Sequence, residues 1–293
     1  MPKFSTVFQN RWLLLAILAL TWGTSFILIK KSVEVFTPYQ VGALRVTLAG
    51  LVLLPLGIKA LPKAGKRTLF WAAVTGALGN FFPMFLFPMA EVKVSSAIAG
   101  VLNSLVPIFV LLFSFMLYGI RSSNKQIGGA VLGFVGANVL MYFSGGSTAT
   151  ENYMYGLLII LATAMYALSG IFIKKHLTHI PSLQLSGIVF TLWLGPAVLI
   201  LLLSGFSTDF HGSPEQWTAL GYVSILGLVG TATAMILFYK LIQMTSAVFA
   251  SSVTYLMPVV AVFWGVLAGE EFSFWFLLGG ILILGGVYLI REK

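Results

Sequence analysis

The chain runs to 293 residues, of which 59% are apolar and only 9% charged, with a mean hydropathy of +0.99. A soluble domain carries roughly a quarter charged residues, so lipid rather than water must face most of this surface. The net charge of +9 sits in short loops between apolar runs, which points to membrane orientation and not to nucleic acid, and the lack of cysteine excludes disulfides and thiolate metal sites.

A spanning helix needs roughly 20 residues. The sequence predicts ten of them, at 12–30, 39–57, 69–90, 95–118, 126–144, 155–173, 184–204, 217–241, 246–268 and 274–291. Turn chemistry separates them at Thr37-Pro38, Leu61-Pro62-Lys63, Ser122-Ser123-Asn124, Gly145-Gly146-Ser147, Ile180-Pro181-Ser182 and Ser213-Pro214-Glu215. Between the third and fourth spans the only break is Glu91-Val92-Lys93. The first run is too long for a signal peptide and is followed by further spans, so it is read as a retained helix.

Thirteen Lys and Arg fall on one side of this pattern and three on the other, with Arg45 inside the second span. The acids mostly lie opposite: Glu34, Glu91, Glu151, Asp209, Glu215, Glu270 and Glu271. That bias puts both termini in the cytoplasm of a multi-pass inner-membrane protein, and it requires an even number of spans.

The sequence also repeats itself. Pro107 and Pro258 are 151 residues apart, as are Gly128 and Gly279, and Gly129 and Gly280. Ser96-Ala97 matches Ser246-Ala247 at 150, and Ser25-(x)4-Lys30-Lys31 matches Ser169-(x)4-Lys174-Lys175 at 144. Each half, 1–147 and 148–293, then holds five spans. Five is odd, so the second half enters the membrane from the other side: an all-α fold of two inverted-topology repeats, as in secondary transporters.

On these residues the chain resembles the drug/metabolite transporter superfamily, in its EamA-type branch. The resemblance is carried by Trp22-Gly23-Thr24-Ser25-Phe26 with Lys30, by Pro38 and Arg45, and by Ser95-Ser96-Ala97 through Pro107. In the second half it is carried by Thr245-Ser246-Ala247 through Pro258, by Gly269-Glu270-Glu271, and by glycine-rich fifth and tenth spans. The first half departs from the pattern at Gly119-Ile120-Arg121, where Gly-Glu is usual. The resemblance implies a central cavity lined by spans 1–4 and 6–9, peripheral spans 5 and 10, and export or exchange of amino acids or related metabolites by alternating access.

Polar side chains at the bilayer midplane are costly and face a cavity or another helix. The candidate substrate-binding residues are Trp22, Thr24 and Ser25, Arg45, Asn80, Asn103, Tyr166 and Ser169, Thr231, and Thr254 with Tyr255. For a single Ser or Thr, interhelical packing is an equally simple reading. Trp22 and Tyr166 are 144 apart and are placed to stack on a flat or apolar solute. Arg45 suits a substrate carboxylate, or else snorkels outward toward Glu34. Pro107 and Pro258 each remove a backbone hydrogen bond and are candidate gate hinges.

No acid is placed mid-membrane, with Glu91 at a helix end, so facilitated diffusion or exchange is expected and not tight proton coupling. There is no His-Glu-x-x-His, Gly-x-Ser-x-Gly or Gly-x(4)-Gly-Lys-Ser/Thr, which leaves an intramembrane enzyme or an ATP motor without its machinery. The expectation is a carrier and not an enzyme, with neither cofactor nor metal. It exports small polar metabolites, amino acids first, with nucleobases, nucleosides or hydrophobic cationic drugs as the alternative cargo and proton coupling as the alternative mechanism. Its partners are that solute and the lipid bilayer, without nucleic acid, the chain being a monomer or weak homodimer.

Overall fold

The computed structural model describes residues 10–94, 96–143, 153–267 and 274–290. Ser95, the Gly145-Gly146-Ser147 break, the Gly269-Glu270-Glu271 motif and both chain ends lie outside them.

The described residues form helices joined by short turns, with no strand among them. In chain order the helices are α1 (Arg11–Val33), α2 (Pro38–Ala60), α3 (Lys66–Gly76), α4 (Phe82–Glu91), α5 (Ser96–Asn103), α6 (Val106–Tyr118), α7 (Asn124–Phe143) and α8 (Tyr153–His176). They continue with α9 (Ser182–Leu203), the single turn α10 (Phe206–Asp209), α11 (Pro214–Gly227), α12 (Ala234–Met244), α13 (Ala247–Ser251), α14 (Val253–Leu267) and α15 (Phe274–Ile290). Among the described residues, six stretches are long and apolar enough to cross a membrane: Arg11–Val33, Pro38–Lys63, Lys66–Glu91, Met154–His176, Ser182–Leu203 and Pro214–Met244. Shorter apolar helices accompany them at Val106–Tyr118, Ala247–Val260 and Leu277–Ile290. Large apolar side chains such as Leu20, Leu51, Phe70, Met116 and Leu203 cover the outside. In water that surface would be an aggregation hazard; in lipid it is the solvated face.

Helix starts follow from local chemistry. Thr37 and Gln40 form a reciprocal capping box around Pro38 at the head of α2, and Ser213 and Gln216 do the same around Pro214 at the head of α11. Gly119 closes α6 in the left-handed region at φ +64°, its N–H returning to Phe115 O.

Two spanning stretches are interrupted by a wider π turn. Ala77–Phe81 joins α3 to α4, and Leu228–Thr233 joins α11 to α12. The two turns carry matching residues 151 apart: Gly76 and Gly227, Gly79 and Gly230, Asn80 and Thr231. Such a turn leaves backbone groups out of register and is common at functional sites. Pro107 lies at the start of α6, past the break at Ser104, and Pro258 lies inside α14, past the break at Ser252.

The most extensive pairings are α2 with α9 and α7 with α15. Glycines let these helices meet backbone to backbone. A Cβ on Gly286 would stand 2.6 Å from Gly129 O and from Gly133 N, and one on Gly136 2.8 Å from Ile283 N. The glycine stripes of the fifth and tenth predicted spans therefore face each other within one chain. Gly286→Val is expected to lower the thermal midpoint in detergent, at a cost of about 1–3 kcal/mol or more from overpacking. Gly280→Val, with nothing within 4 Å of its Cβ position, is expected to leave the midpoint within a degree or so of the parent. Equal midpoints for the two variants would show that this contact does not hold the helices together.

Candidate functional site

A cavity of about 90 Å³ lies at the centre of the bundle, several times the space one water requires. Its walls come from α1, α2, α4, α5, α6, α8, α12, α13 and α14, with Gly79 of the first π turn. Most of the wall is apolar: Phe26, Phe87, Phe238, Met84, Met235 and Met257 are among its side chains. Seven sequence-selected residues line it: Trp22, Ser25, Arg45, Asn103, Tyr166, Ser169 and Thr254.

Arg45 is 4% exposed and does not snorkel; Glu34 instead pairs with Lys31 at 3.1 Å. One Arg45 terminal nitrogen donates to Thr231 Oγ1 at 3.4 Å, a long bond, and Nε has no hydrogen-bond partner. A buried guanidinium with an unused donor is costly. Asn103 presents the complementary lack. Its Nδ2 contacts the Met257 sulfur at 3.6 Å, and its Oδ1 has no partner. The hydroxyls of Ser25, Ser169 and Thr254 donate to Thr21 O, Thr75 O and Ser251 O at 2.9, 3.0 and 2.9 Å. Each therefore keeps lone pairs to accept with. Among its described residues the cavity thus has one cation with a donor to spare and several acceptors, set in an apolar wall.

The aromatic residues are held individually. The Trp22 indole N–H donates to Gly230 O at 2.9 Å, in the second π turn, and its ring meets Phe238 edge-on at 5.0 Å. Tyr166 stacks on Phe87 at 5.9 Å. Both rings face the cavity without touching one another face to face, so a flat solute would meet two separately anchored surfaces.

Four sequence-selected residues lie elsewhere. Tyr255 is fully buried, donates to Ala130 O at 2.8 Å and covers Gly133, so it fastens α14 to α7. Asn80 donates to the Tyr239 hydroxyl at 2.6 Å and stays inside the first π turn. Thr231 supports Arg45 from behind while donating to Leu226 O. Thr24 donates to Leu20 O on the outer side of α1. Tyr255, Asn80 and Thr231 thus meet side chains or carbonyls of other helices, whereas Thr24 is answered within its own helix.

Two features escape a reading of the sequence one residue at a time. Ser169 Oγ lies against Gly79, and Ser25 Oγ stands 3.2 Å from where a Cβ of Gly230 would be, so serines 144 apart seat against glycines 151 apart. The 151-residue offset of the two Gly-x-x-Gly runs was the available signal. The second is Glu91, expected at a helix end but wholly buried. It closes α4, its main-chain carbonyl accepts from Lys30 Nζ at 2.8 Å, and Arg45 lies within its electrostatic reach.

A multi-pass helical bundle closed around a small, mostly apolar cavity with one buried cation is the build of a membrane transporter. The comparisons with known proteins agree. The chain belongs to the EamA-like transporter family of the drug/metabolite transporter superfamily, whose model matches residues 10–142 and 154–291. Over 304 residues it is 30% identical to the uncharacterized inner membrane transporter YedA of Escherichia coli (strain K12), covering 100% of this chain and 94% of that one. It is 27% identical over 294 residues to an uncharacterized transporter of Archaeoglobus fulgidus, covering 97% of this chain and all of the relative. A solved crystal structure superposes with a TM-score of 0.70 at 23% identity, over 95% of this chain and 96% of the other, and so shares the fold.

Tyr255→Phe is expected to lower thermal stability by about 1 kcal/mol, the worth of one buried hydrogen bond, and to leave transport rates unchanged. Trp22→Ala opens the cavity wall and is expected to cut transport at least several-fold. The opposite ranking in proteoliposomes would place the solute against Tyr255 and outside this cavity.

Proposed function

We propose that the chain is a secondary carrier that exports small zwitterionic metabolites, amino acids foremost, by alternating access, as facilitated diffusion or exchange. The observation that carries this reading is the pair of unmet needs in the cavity, Arg45 Nε and Asn103 Oδ1. A carboxylate supplies acceptors for the guanidinium. An ammonium supplies donors for the amide oxygen and the free lone pairs of Ser25, Ser169 and Thr254. The apolar wall suits the remainder of a small solute. A hydrophobic cation fits less well, because the charged side chain facing the cavity is itself a cation.

The carrier is organised as ten spans in two inverted five-span halves, 1–147 and 148–293. Four kinds of matched feature support this: the repeat spacings, the paired π turns, the serine-on-glycine contacts, and the lysine caps. Lys30 reaches the carbonyl that ends α4, and Lys174, 144 residues on, reaches Gln243 O and Thr245 O at the end of α12. The charge bias supports cytoplasmic termini. Under this reading substrate contacts fall to Trp22, Ser25, Arg45, Asn103, Tyr166, Ser169 and Thr254, and Pro107 and Pro258 flank the moving segments.

Glu91 favours a second mechanism for the same cargo. A carboxyl buried in a span is the usual carrier of a coupled proton, and Glu91 is such a group. The two mechanisms separate in counterflow from proteoliposomes preloaded with an unlabelled amino acid, with no ion gradient present. Exchange without a gradient that survives in Glu91→Gln is the expected result. Arg45→Gln is expected to raise the half-saturating concentration roughly 10- to 100-fold, the loss of one charge-assisted bond of about 1.5–3 kcal/mol. Exchange that starts only when a proton gradient is imposed, and stops in Glu91→Gln, would establish the coupled mechanism instead.

A further inference from the structure

A second cavity, of about 280 Å³, opens between α6, α8 and α13. Arg121, Lys174 and Lys175 line it together with Ser122 and Gln126, and no carboxylate lies among the described residues of its wall. It adjoins the central cavity, because Ala247 lines both.

The three cations are placed by different means. Lys174 Nζ is anchored on Gln243 O and Thr245 O, which fixes its charge at the break between α12 and α13. Lys175 Nζ stands 5.1 Å over the Tyr118 ring, and Tyr118 also lines the cavity, so the ammonium is held along the wall. Arg121 stands at an exposed position just past the left-handed turn at Gly119. Its identity is the telling one. Within this chain, Gly119-Ile120-Arg121 occupies the place that Gly269-Glu270-Glu271 takes 150 residues later. One half of the sequence puts acids after that glycine, and the other puts an arginine where it faces two lysines.

We propose that this cavity is an anion-collecting portal, which takes the carboxylate or phosphate oxyanion of a small solute and delivers it toward Arg45. Three like charges around a confined space of low dielectric focus the field and raise the local concentration of anions by roughly 10–10³-fold. Arg45 continues the same sign of charge inward, so an anionic group meets attraction at the mouth and again at the centre. Only the direction of traffic rests on the carrier reading; anion capture at the portal does not.

The test uses the full-length chain, which contains no cysteine, carrying Ser122→Cys in the portal wall. Its modification by a sulfonate-bearing and by a trimethylammonium-bearing methanethiosulfonate reagent is timed in phosphatidylcholine liposomes, each rate being divided by that of a free thiol. No transport is needed, so failure of amino-acid exchange leaves this measurement intact. The sulfonate reagent is expected to be favoured roughly ten-fold. The preference should fall to parity in about 1 M salt, where the Debye length shrinks to about 3 Å, and should fall to a similar extent in R121Q/K175Q and in R121E, each of which lowers the summed charge of the wall from +3 to +1. Lys174 is left in place because its ammonium caps α12. Thr208→Cys, near Asp209, is the control and should show no preference for the anion. Equal rates at Ser122→Cys in low salt would overturn the proposal. Repeating the experiment with phosphatidylglycerol in the membrane separates the two sources of oxyanion. A preference that persists relative to Thr208→Cys assigns the portal to free solutes. One that disappears assigns it to a lipid phosphate and overturns its role in delivery.

Discussion

Inside a bilayer no water is available to answer a broken backbone hydrogen bond, so an interrupted helix survives only where other protein groups meet the exposed carbonyls. That constraint governs this bundle. The second π turn has the Trp22 indole on Gly230 O, the turn before the first has the Ser169 hydroxyl on Thr75 O, and the ends of α4 and α12 have the ammonium groups of Lys30 and Lys174. Each answering side chain comes from α1 or α8. These two helices thus hold together the broken stretches, and the first π turn brings Gly79 to the cavity wall.

Charge completes the arrangement. Burying a guanidinium costs several kcal/mol unless it is paired, and Arg45 has one long bond to Thr231 and an unused Nε. A solute carboxylate would supply what the protein withholds. A ligand shifts a conformational equilibrium only by its differential affinity for the two states. On the proposed reading, a charge left underpaired until cargo arrives provides that difference.

Much of this could be read from the sequence because the bilayer restricts the choices. Apolar runs of spanning length, turn residues between them and the one-sided lysines follow from the solvent alone, and Trp22, Ser25, Arg45 and Ser169 follow from the cost of polarity mid-span. Partnership was harder to read. Tyr255 and Arg45 are both bulky polar residues inside a span, yet Tyr255 finds Ala130 O on a neighbouring helix and Arg45 finds the cavity. Spacing along one helix does not say what stands opposite. Glu91 shows the same limit: it ends α4, as its place in the sequence suggests, but its complete burial depends on neighbouring helices that spacing does not reveal. The π turns left only a faint sign, two glycines repeated at the common offset.

The most direct test of the central claim, that Arg45 holds a carboxylate, is competition by an analogue that lacks one. Proteoliposomes would exchange labelled leucine against unlabelled leucine or against leucinol, which keeps the amine and the side chain and replaces the carboxylate by a hydroxymethyl group. The account predicts saturable exchange with leucine and at least a ten-fold weaker response to leucinol, the difference vanishing in Arg45→Gln. Equal exchange with both compounds in the parent protein would contradict it, since the buried arginine would then play no part in recognising the cargo.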